Sequence, residues 1–113
     1  MAKIGYLYAK DGIWDGVRVL PEGWVQTSVT RSVEDVGWDD KGYGYQWWLV
    51  PWGSEHRSNA YTCLGYGGQY LFVVPEHDLI AVFTGWNVYD KPPLDVDFAL
   101  DSVLDAVKVG TDR

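Results

Sequence analysis

The chain has 113 residues, enough for one domain with a hydrophobic core, and its composition, 47% hydrophobic and 16% aromatic, excludes a disordered polypeptide. Sixteen acidic against nine basic residues give a formal charge of −7, which repels phosphate backbones and anionic lipid, so we expect neither a nucleic-acid nor a membrane partner. No apolar run approaches the roughly 20 residues that span a bilayer, and the single cysteine, Cys63, excludes an internal disulfide.

The first thirty residues predict two short helices separated by a hairpin. Apolar residues at helical spacing predict a helix over about residues 1–10, which Asp11-Gly12 can end because glycine adopts the left-handed conformation. Asp15-Gly16 then lies between two β-prone runs, as in a two-residue hairpin turn. Pro21 suits a first helical position, and the apolar pattern up to Val29 predicts a second short helix from there.

The middle of the chain changes from an acidic loop to aromatic strands. Residues 31–42 are acidic and have no sustained period, which indicates an exposed, solvated loop. Over residues 43–50 aromatic and apolar side chains alternate with a period of two, which predicts one strand, closed by Pro51, with an aromatic face in the core. A polar connection over residues 52–59 then leads into a strand over residues 60–64.

A central hairpin follows, in which Gln69–Val74 and Leu79–Thr84 are strands and Pro75–Asp78 is the turn. Both strands are apolar at odd and even positions, so both faces must be covered. The four preceding residues, Gly65–Gly68, lack the side chains that a strand end normally packs. Glycine at such a place marks either a simple bulge or a close approach by a ligand.

The last element is an amphipathic helix with an apolar stripe from Val96 to Val107 and an acidic, solvated outer face. The predicted fold is α+β: one domain over residues 1–113, with an antiparallel sheet of three to four main strands and N- and C-terminal helices packed on it. Two helices could cover one face, but no obvious segment covers the other. Because Met1 also opens directly on an amphipathic pattern, we expect a piece of a longer protein that self-associates through an uncovered face or edge.

Four segments, taken in order, carry a family likeness: MAKIGYLY, DGIWDGVRVLPEGWV, YGYQWWL and LGYGGQYLFVVPEHDLIAVFTG. Their order and spacing resemble the carboxy-terminal portion of the serine β-lactamase-like hydrolases, which include class C β-lactamases, esterases and D-amino-acid peptidases. The likeness covers about residues 1–108 and implies a larger β-lactamase-like fold. The active site of that group combines Ser-x-x-Lys, a Tyr-x-Asn type motif and a third box of Lys-Thr-Gly, His-x-Gly or Trp-Gly-Gly, which Tyr66-Gly67-Gly68 matches.

The resemblance implies a hydrolase part that cannot act alone, because none of the five serines has lysine three residues on. It implies that the parent protein hydrolyses a small-molecule ester or amide through an acyl-enzyme, without a cofactor or a metal. The main-chain amide of Gln69 would be one oxyanion donor, and Tyr66, Gly67 and Gly68 would bind substrate, whose backbone could lie against the strand edge. Tyr66 replaces a lysine and is neutral at pH 7, which favours the esterase or peptidase relatives over the β-lactamases.

Other functions remain open from the residues alone. Seven tryptophans and eight tyrosines could form a sugar-stacking platform, so a carbohydrate- or ligand-binding module without catalysis is the alternative. Tyr66 can equally be a core or rim aromatic. Cys63 has no histidine base nearby in the predicted elements, because His77 lies in a tight turn and His56 in a polar loop, and their spacing predicts no zinc site.

Overall fold

The computed structural model centres on an antiparallel sheet and describes residues 1–33, 36–38, 40–53, 58–85 and 94–111, with side chains up to residue 107. The described helices and strands are, in chain order, α1 (Ala2–Ala9), β1 (Ile13–Trp14), β2 (Val17–Arg18), α2 (Trp24–Ser28), β3 (Gly42–Tyr43), β4 (Trp48–Trp52), β5 (Ser58–Gly65), β6 (Gln69–Val74), β7 (Leu79–Phe83) and α3 (Val96–Thr111). The α+β class and the N- and C-terminal helices are confirmed, while the described sheet has five strands rather than three or four.

The small N-terminal hairpin forms where the sequence predicts it. Asp15 and Gly16 both have positive φ, 50° and 76°, as a two-residue turn between twisted strands requires. The following helix begins at Trp24 rather than at Pro21, so that detail of the prediction is wrong. Gly23 precedes Trp24 in the left-handed conformation, with φ 82°, and this conformation cannot continue a right-handed helix towards Pro21.

The single strand predicted over residues 43–50 is wrong, because the chain reverses between β3 and β4. The Gly44 amide donates to the Trp47 carbonyl at 2.8 Å, which closes a tight turn. A Cβ at Gly44 would lie 2.2 Å from the carbonyl oxygen of Ser28, and the Tyr45 amide donates to that same oxygen at 2.8 Å. A main-chain contact with a segment far away in the sequence therefore overrides the local period of two.

Pro51 lies inside β4, opposite Asn59 of β5, and does not end the strand as predicted. β3 pairs only with Trp48 and Leu49, so Pro51 lies beyond the part of β4 that β3 covers. A proline is tolerated there because one side of the strand has no ladder partner, which is where the missing N–H costs least.

Each face of the sheet carries its own hydrophobic cluster. On one face, α3 packs against β4, β5 and β6 through a buried set: Val50, Ala60, Tyr70, Phe72, Val74, Val96, Ala99 and Leu100. On the other face, α1 and the end of α2 pack against a second set: Val29, Trp47, Leu49, Leu71 and Val73, with Tyr8, Ala9, Tyr61, Cys63 and Ile80 partly buried. The expectation that one face lacks a cover is therefore wrong.

The approach of α1 to the sheet is close because Gly5 has no side chain. A Cβ there would lie 2.9 Å from Ile80 Cγ2 and 3.0 Å from Leu71 Cδ1, so only glycine lets the helix lie this near β6 and β7. Apolar side chains of α1 and of the neighbouring β1–β2 hairpin stay exposed to solvent, among them Val17 and Val19. Self-association stays a prediction, and this patch is a more suitable surface for it than a sheet face.

The strand order is β3-β4-β5-β6-β7, so β6 has hydrogen-bonded neighbours on both sides. Because β5 and β7 already pair with β6 along Tyr70–Val74, the strand addition expected at Gly67 and Gly68 cannot extend along these residues. The glycine segment lies instead at the end of the β5–β6 hairpin. None of the helices in the described part of the chain is long and apolar enough to cross a membrane.

Candidate functional site

The β5–β6 hairpin turns through three residues, Tyr66-Gly67-Gly68, between the paired residues Gly65 and Gln69. Gly67 and Gly68 have φ of 88° and 86°, a region that glycine enters without steric cost. The side chain of Gln69 folds back over the turn, with Nε2 donating to the Tyr66 carbonyl at 3.3 Å. The glycine segment is therefore a tight turn between two central strands and not a bulge within one strand.

In this turn the carbonyl oxygens lie against another part of the chain, whereas the amides have no main-chain acceptor among the described residues. Gly85, just beyond β7, approaches the turn so closely that a Cβ there would lie 3.3 Å from the Gly68 oxygen and 3.4 Å from the Gly67 oxygen. Within the described ranges, by contrast, the amides of Tyr66, Gly67 and Gly68 donate to no main-chain acceptor. A ligand carbonyl or oxyanion can satisfy such amides, since an N–H group left without an acceptor is costly once water is excluded.

A cavity of about 490 Å³ lies beside the turn, a volume typical of small-molecule sites. We call it the glycine-turn cavity; its lining residues are Trp38, Leu64, Gly65, Tyr66, Gly67, Gly68, Tyr70, Leu94, Asp95 and Val96. The three residues predicted to bind substrate, Tyr66, Gly67 and Gly68, therefore all lie in its wall. Gln69, the predicted oxyanion donor, is next to them at the start of β6 and is not a lining residue.

The start of α3 forms another part of the cavity wall, and two contacts fix it there. The Tyr70 hydroxyl donates a hydrogen bond to the Leu94 carbonyl. Burial raises the pKa of Tyr70, and the nearby charge of Asp95 raises it further, so the hydroxyl keeps its proton. Asp95 begins the helix, since its Oδ2 accepts from the Phe98 amide at 3.0 Å and its carbonyl from the Ala99 amide at 2.9 Å.

A buried lysine holds the Trp38 side of the cavity. Lys41 is only 1% exposed, and its Nζ donates to Asp40 at 2.7 Å and to Asp97 of α3 at 3.1 Å. The same Nζ lies 4.9 Å from the centre of the Trp38 ring. Burial disfavours the charged form of Lys41, but the hydrogen bonds to Asp40 and Asp97 outweigh this, and its pKa is raised. Lys41 thus ties the loop before β3 to α3.

Sequence reasoning missed these three contributors, Trp38, Lys41 and Asp95. The first two lie in the acidic segment predicted to be a solvated loop, and Asp95 precedes the predicted helix. A tryptophan and a lysine separated by two residues in an acidic loop form no recognisable motif. The one usable signal was local: an aspartate directly before an apolar helical stripe is a typical N-cap.

Among the described residues, the remaining cysteine and histidine side chains lie apart from the glycine-turn cavity. Cys63 is half-buried in the cluster on the α1 face, and this burial raises the pKa of its thiol, which keeps it protonated. The His77 ring packs against Trp52 with 5.2 Å between ring centres, whereas His56 lies outside the described residues. No group of three or more potential metal ligands occurs among the residues that the structure describes.

The aromatic side chains do not form a flat platform in the described part of the chain. Trp47 is buried in the core, as the sequence predicts, but Tyr45 is 50% exposed because it lies in the turn before β4. The exposed rings of Trp24 and Tyr45 meet at 50°, and the exposed ring of Trp38 meets the partly buried ring of Trp48 at 74°. A sugar-stacking surface needs rings open to solvent on a common plane, so this geometry gives the binding-module alternative little support.

Comparison with known proteins adds one relative. No family model matches the chain. An uncharacterized protein of Alkalihalophilus pseudofirmus is 27% identical over 100 residues, a match that includes 81% of this chain and 30% of the relative. The chain therefore spans less than a third of the length of the curated relative to which it is similar.

Proposed function

We propose that this chain is the substrate-side part of a serine hydrolase similar to the β-lactamase-like group, in which another part of the protein supplies the nucleophile. The observation that carries this proposal is the Tyr66–Gly68 turn. It combines main-chain amides that have no main-chain acceptor among the described residues with a position in the wall of the glycine-turn cavity. An acyl-transfer site requires donors of this kind, aimed at a cavity before the reaction begins.

The role of this turn is to stabilise the charge that develops on the substrate carbonyl oxygen. The resemblance assigns one donor to the amide of Gln69, which pairs with Gly65 at the end of the β5–β6 ladder. The amides of Gly67 and Gly68 are the neighbouring donors that the geometry favours, because they lie in the turn rather than in the ladder. A loss of one such donor typically lowers the rate about 10²- to 10³-fold.

The chain's own side chains would bind the acyl group rather than attack it. Tyr66, which is 77% exposed, lines the cavity together with Trp38 and Leu64, so an apolar acyl portion has aromatic and aliphatic surface to contact. None of the five serines has the lysine that would activate it three residues on. The 113-residue chain alone should therefore hydrolyse neither p-nitrophenyl butyrate nor a chromogenic cephalosporin above the buffer rate.

A glycine pair tests the turn in the longer parent protein that the proposal requires. Gly68→Val should lower turnover of p-nitrophenyl butyrate by about 10²-fold, because a β-branched residue at φ 86° displaces the turn amides. Gly16→Val is the matched control, since Gly16 also has positive φ, 76°, in a hairpin turn but lies away from the cavity.

Two results would contradict the proposal. One is equal turnover in the two glycine variants when circular dichroism shows both to be folded. The other is ester hydrolysis by the 113-residue chain alone that disappears when a serine of this chain is replaced by alanine. A fluorophosphonate label on the parent should instead be found on a serine outside this sequence.

A further inference from the structure

We propose that the glycine-turn cavity binds an organic cation, with a substituted ammonium group between the Asp95 carboxylate and the aromatic rings of Tyr66 and Trp38. This inference takes one point from the proposed function, namely that the acyl carbonyl of the ligand lies at the Tyr66–Gly68 turn. The cation preference comes from Asp95 and the aromatic rings and can be measured without any hydrolysis.

The charge of the cavity wall is the first argument. Among the described lining residues, Asp95 alone carries an ionised side chain. One of its oxygens, Oδ2, accepts the Phe98 amide, while Oδ1 has no hydrogen-bond partner in the described part of the structure. Because Asp95 is exposed at the start of α3, this second oxygen can pair with a cationic ligand without first losing another contact.

The nearest buried cation does not cancel this charge. Lys41 is turned towards Asp40 and Asp97, which hold its ammonium at 2.7 and 3.1 Å, and it does not line the cavity. Lys41 therefore has two carboxylate partners of its own and makes no ion pair with Asp95. A ligand carboxylate would be repelled there, whereas a ligand cation would be attracted.

The rings supply the second argument. A cation over an aromatic face is stabilised by the ring quadrupole, and aromatic groups with a carboxylate are the usual surroundings of a quaternary ammonium ligand. The Trp38 ring already contacts the Lys41 ammonium at 4.9 Å and the Trp48 ring at 5.3 Å, so it offers only its remaining surface. Tyr66 is 77% exposed and has no ring partner among the described residues, so both of its faces are available.

The ligand class follows from these two ends of the site. It is an ester or amide whose carbonyl lies at the turn and whose other end is a tertiary or quaternary ammonium group. A cavity of about 490 Å³ accommodates such a molecule. Neutral acyl groups can still enter, but without the contribution of Asp95.

Acetylcholine and 3,3-dimethylbutyl acetate test the inference, because they have nearly the same shape and differ in the positive charge. Titration of the 113-residue chain, followed by NMR chemical shifts of the Tyr66 and Gly67 amides, should give about fivefold tighter binding of acetylcholine. Asp95→Asn should remove this preference while keeping the helix start, since asparagine is an equally good N-cap. Asp101→Asn, on the same helix but outside this cavity, should leave the preference unchanged.

Equal affinities of the two ligands, or no binding of either, would overturn the inference. It is also overturned if the preference persists in Asp95→Asn or disappears equally in Asp101→Asn, because either result assigns it to the general charge of −7. The proposed function fails separately, through the Gly68→Val test with an uncharged ester. A parent enzyme that loses turnover in Gly68→Val but shows no cation preference would refute this inference alone.

Discussion

Two hairpin turns of this chain have similar backbones but different surroundings. In the β1–β2 turn, Gly16 has φ 76°, and a Cβ there would meet no atom within 4 Å. In the β5–β6 turn, Gly67 and Gly68 have φ of 88° and 86°, but both are buried and line a cavity. Positive φ shows only where glycine is needed, whereas burial beside a cavity is what makes the β5–β6 turn the candidate binding turn.

The difference comes from the strands that carry each turn. β1 and β2 have two exposed residues each, so their turn only connects them. β5 and β6 lie in the middle of the sheet, with β6 almost entirely buried, and α3 begins beside their turn. Three tests sharpen or break this comparison, and the one with the largest expected loss in the free energy of unfolding comes first.

Lys41→Met should give the largest loss, about 2 kcal/mol, because it leaves Asp40 and Asp97 without their shared cation. The loss should stay below the roughly 3–5 kcal/mol of a fully buried pair, since the two aspartate side chains are 45% and 50% exposed. Urea denaturation measures it. Lys10→Met is the control, because Lys10 makes an exposed ion pair with Asp78 at 2.9 Å. Equal losses in the two variants would show that burial of Lys41 does not matter.

Gly67→Ala and Gly16→Ala compare the two turns directly. Each should lose about 1 kcal/mol, the cost of placing a Cβ in the left-handed region. Only Gly67→Ala should also weaken acetylcholine binding in the NMR titration, since Gly67 alone of the two lines the cavity. If Gly16→Ala weakens binding as much, the two turns are equivalent and the functional distinction between them fails.

Tyr70→Phe should cost about 1 kcal/mol at neutral pH, because it removes the hydrogen bond to the Leu94 carbonyl. The pKa of Tyr70 is raised in the folded state, so its contribution is fully present below the tyrosine pKa of the unfolded chain and is lost as pH rises through the folded value. The difference in stability between wild type and Tyr70→Phe should therefore shrink in strongly alkaline solution. A difference that is constant up to the alkaline unfolding limit would exclude this role of the hydroxyl.

The local parts of the fold were predictable from sequence. Asp15-Gly16, the turn at Pro75–Asp78 and the apolar stripe of α3 each carry their signal within a few residues, and each forms as predicted. The strand predicted over residues 43–50 failed because the reason for the reversal at Gly44 lies in the carbonyl of Ser28, sixteen residues away in sequence.

The candidate site also contains residues that the sequence indicates and residues that it does not. Tyr66, Gly67 and Gly68 were singled out by the glycine pattern and the family resemblance, and they line the cavity, while their role in substrate binding stays a prediction. Trp38 and Asp95 could not be predicted as site residues. Trp38 precedes the sheet strands in the sequence and Asp95 follows them, so the two meet only when α3 folds back along the sheet. Lys41 was hidden for a further reason, since its partner Asp97 lies fifty-six residues away and each is unremarkable alone.

Asp95 has two tasks, and they place different demands on any replacement. The start of α3 requires only a short side chain that accepts the Phe98 amide, so asparagine, serine and threonine would all keep the helix intact. An attraction for ammonium groups requires the negative charge, which none of these residues has. A single-base change in the codon converts aspartate to asparagine. This substitution would leave a folded protein with an altered ligand preference. Specificity can therefore evolve at position 95 without a cost in stability.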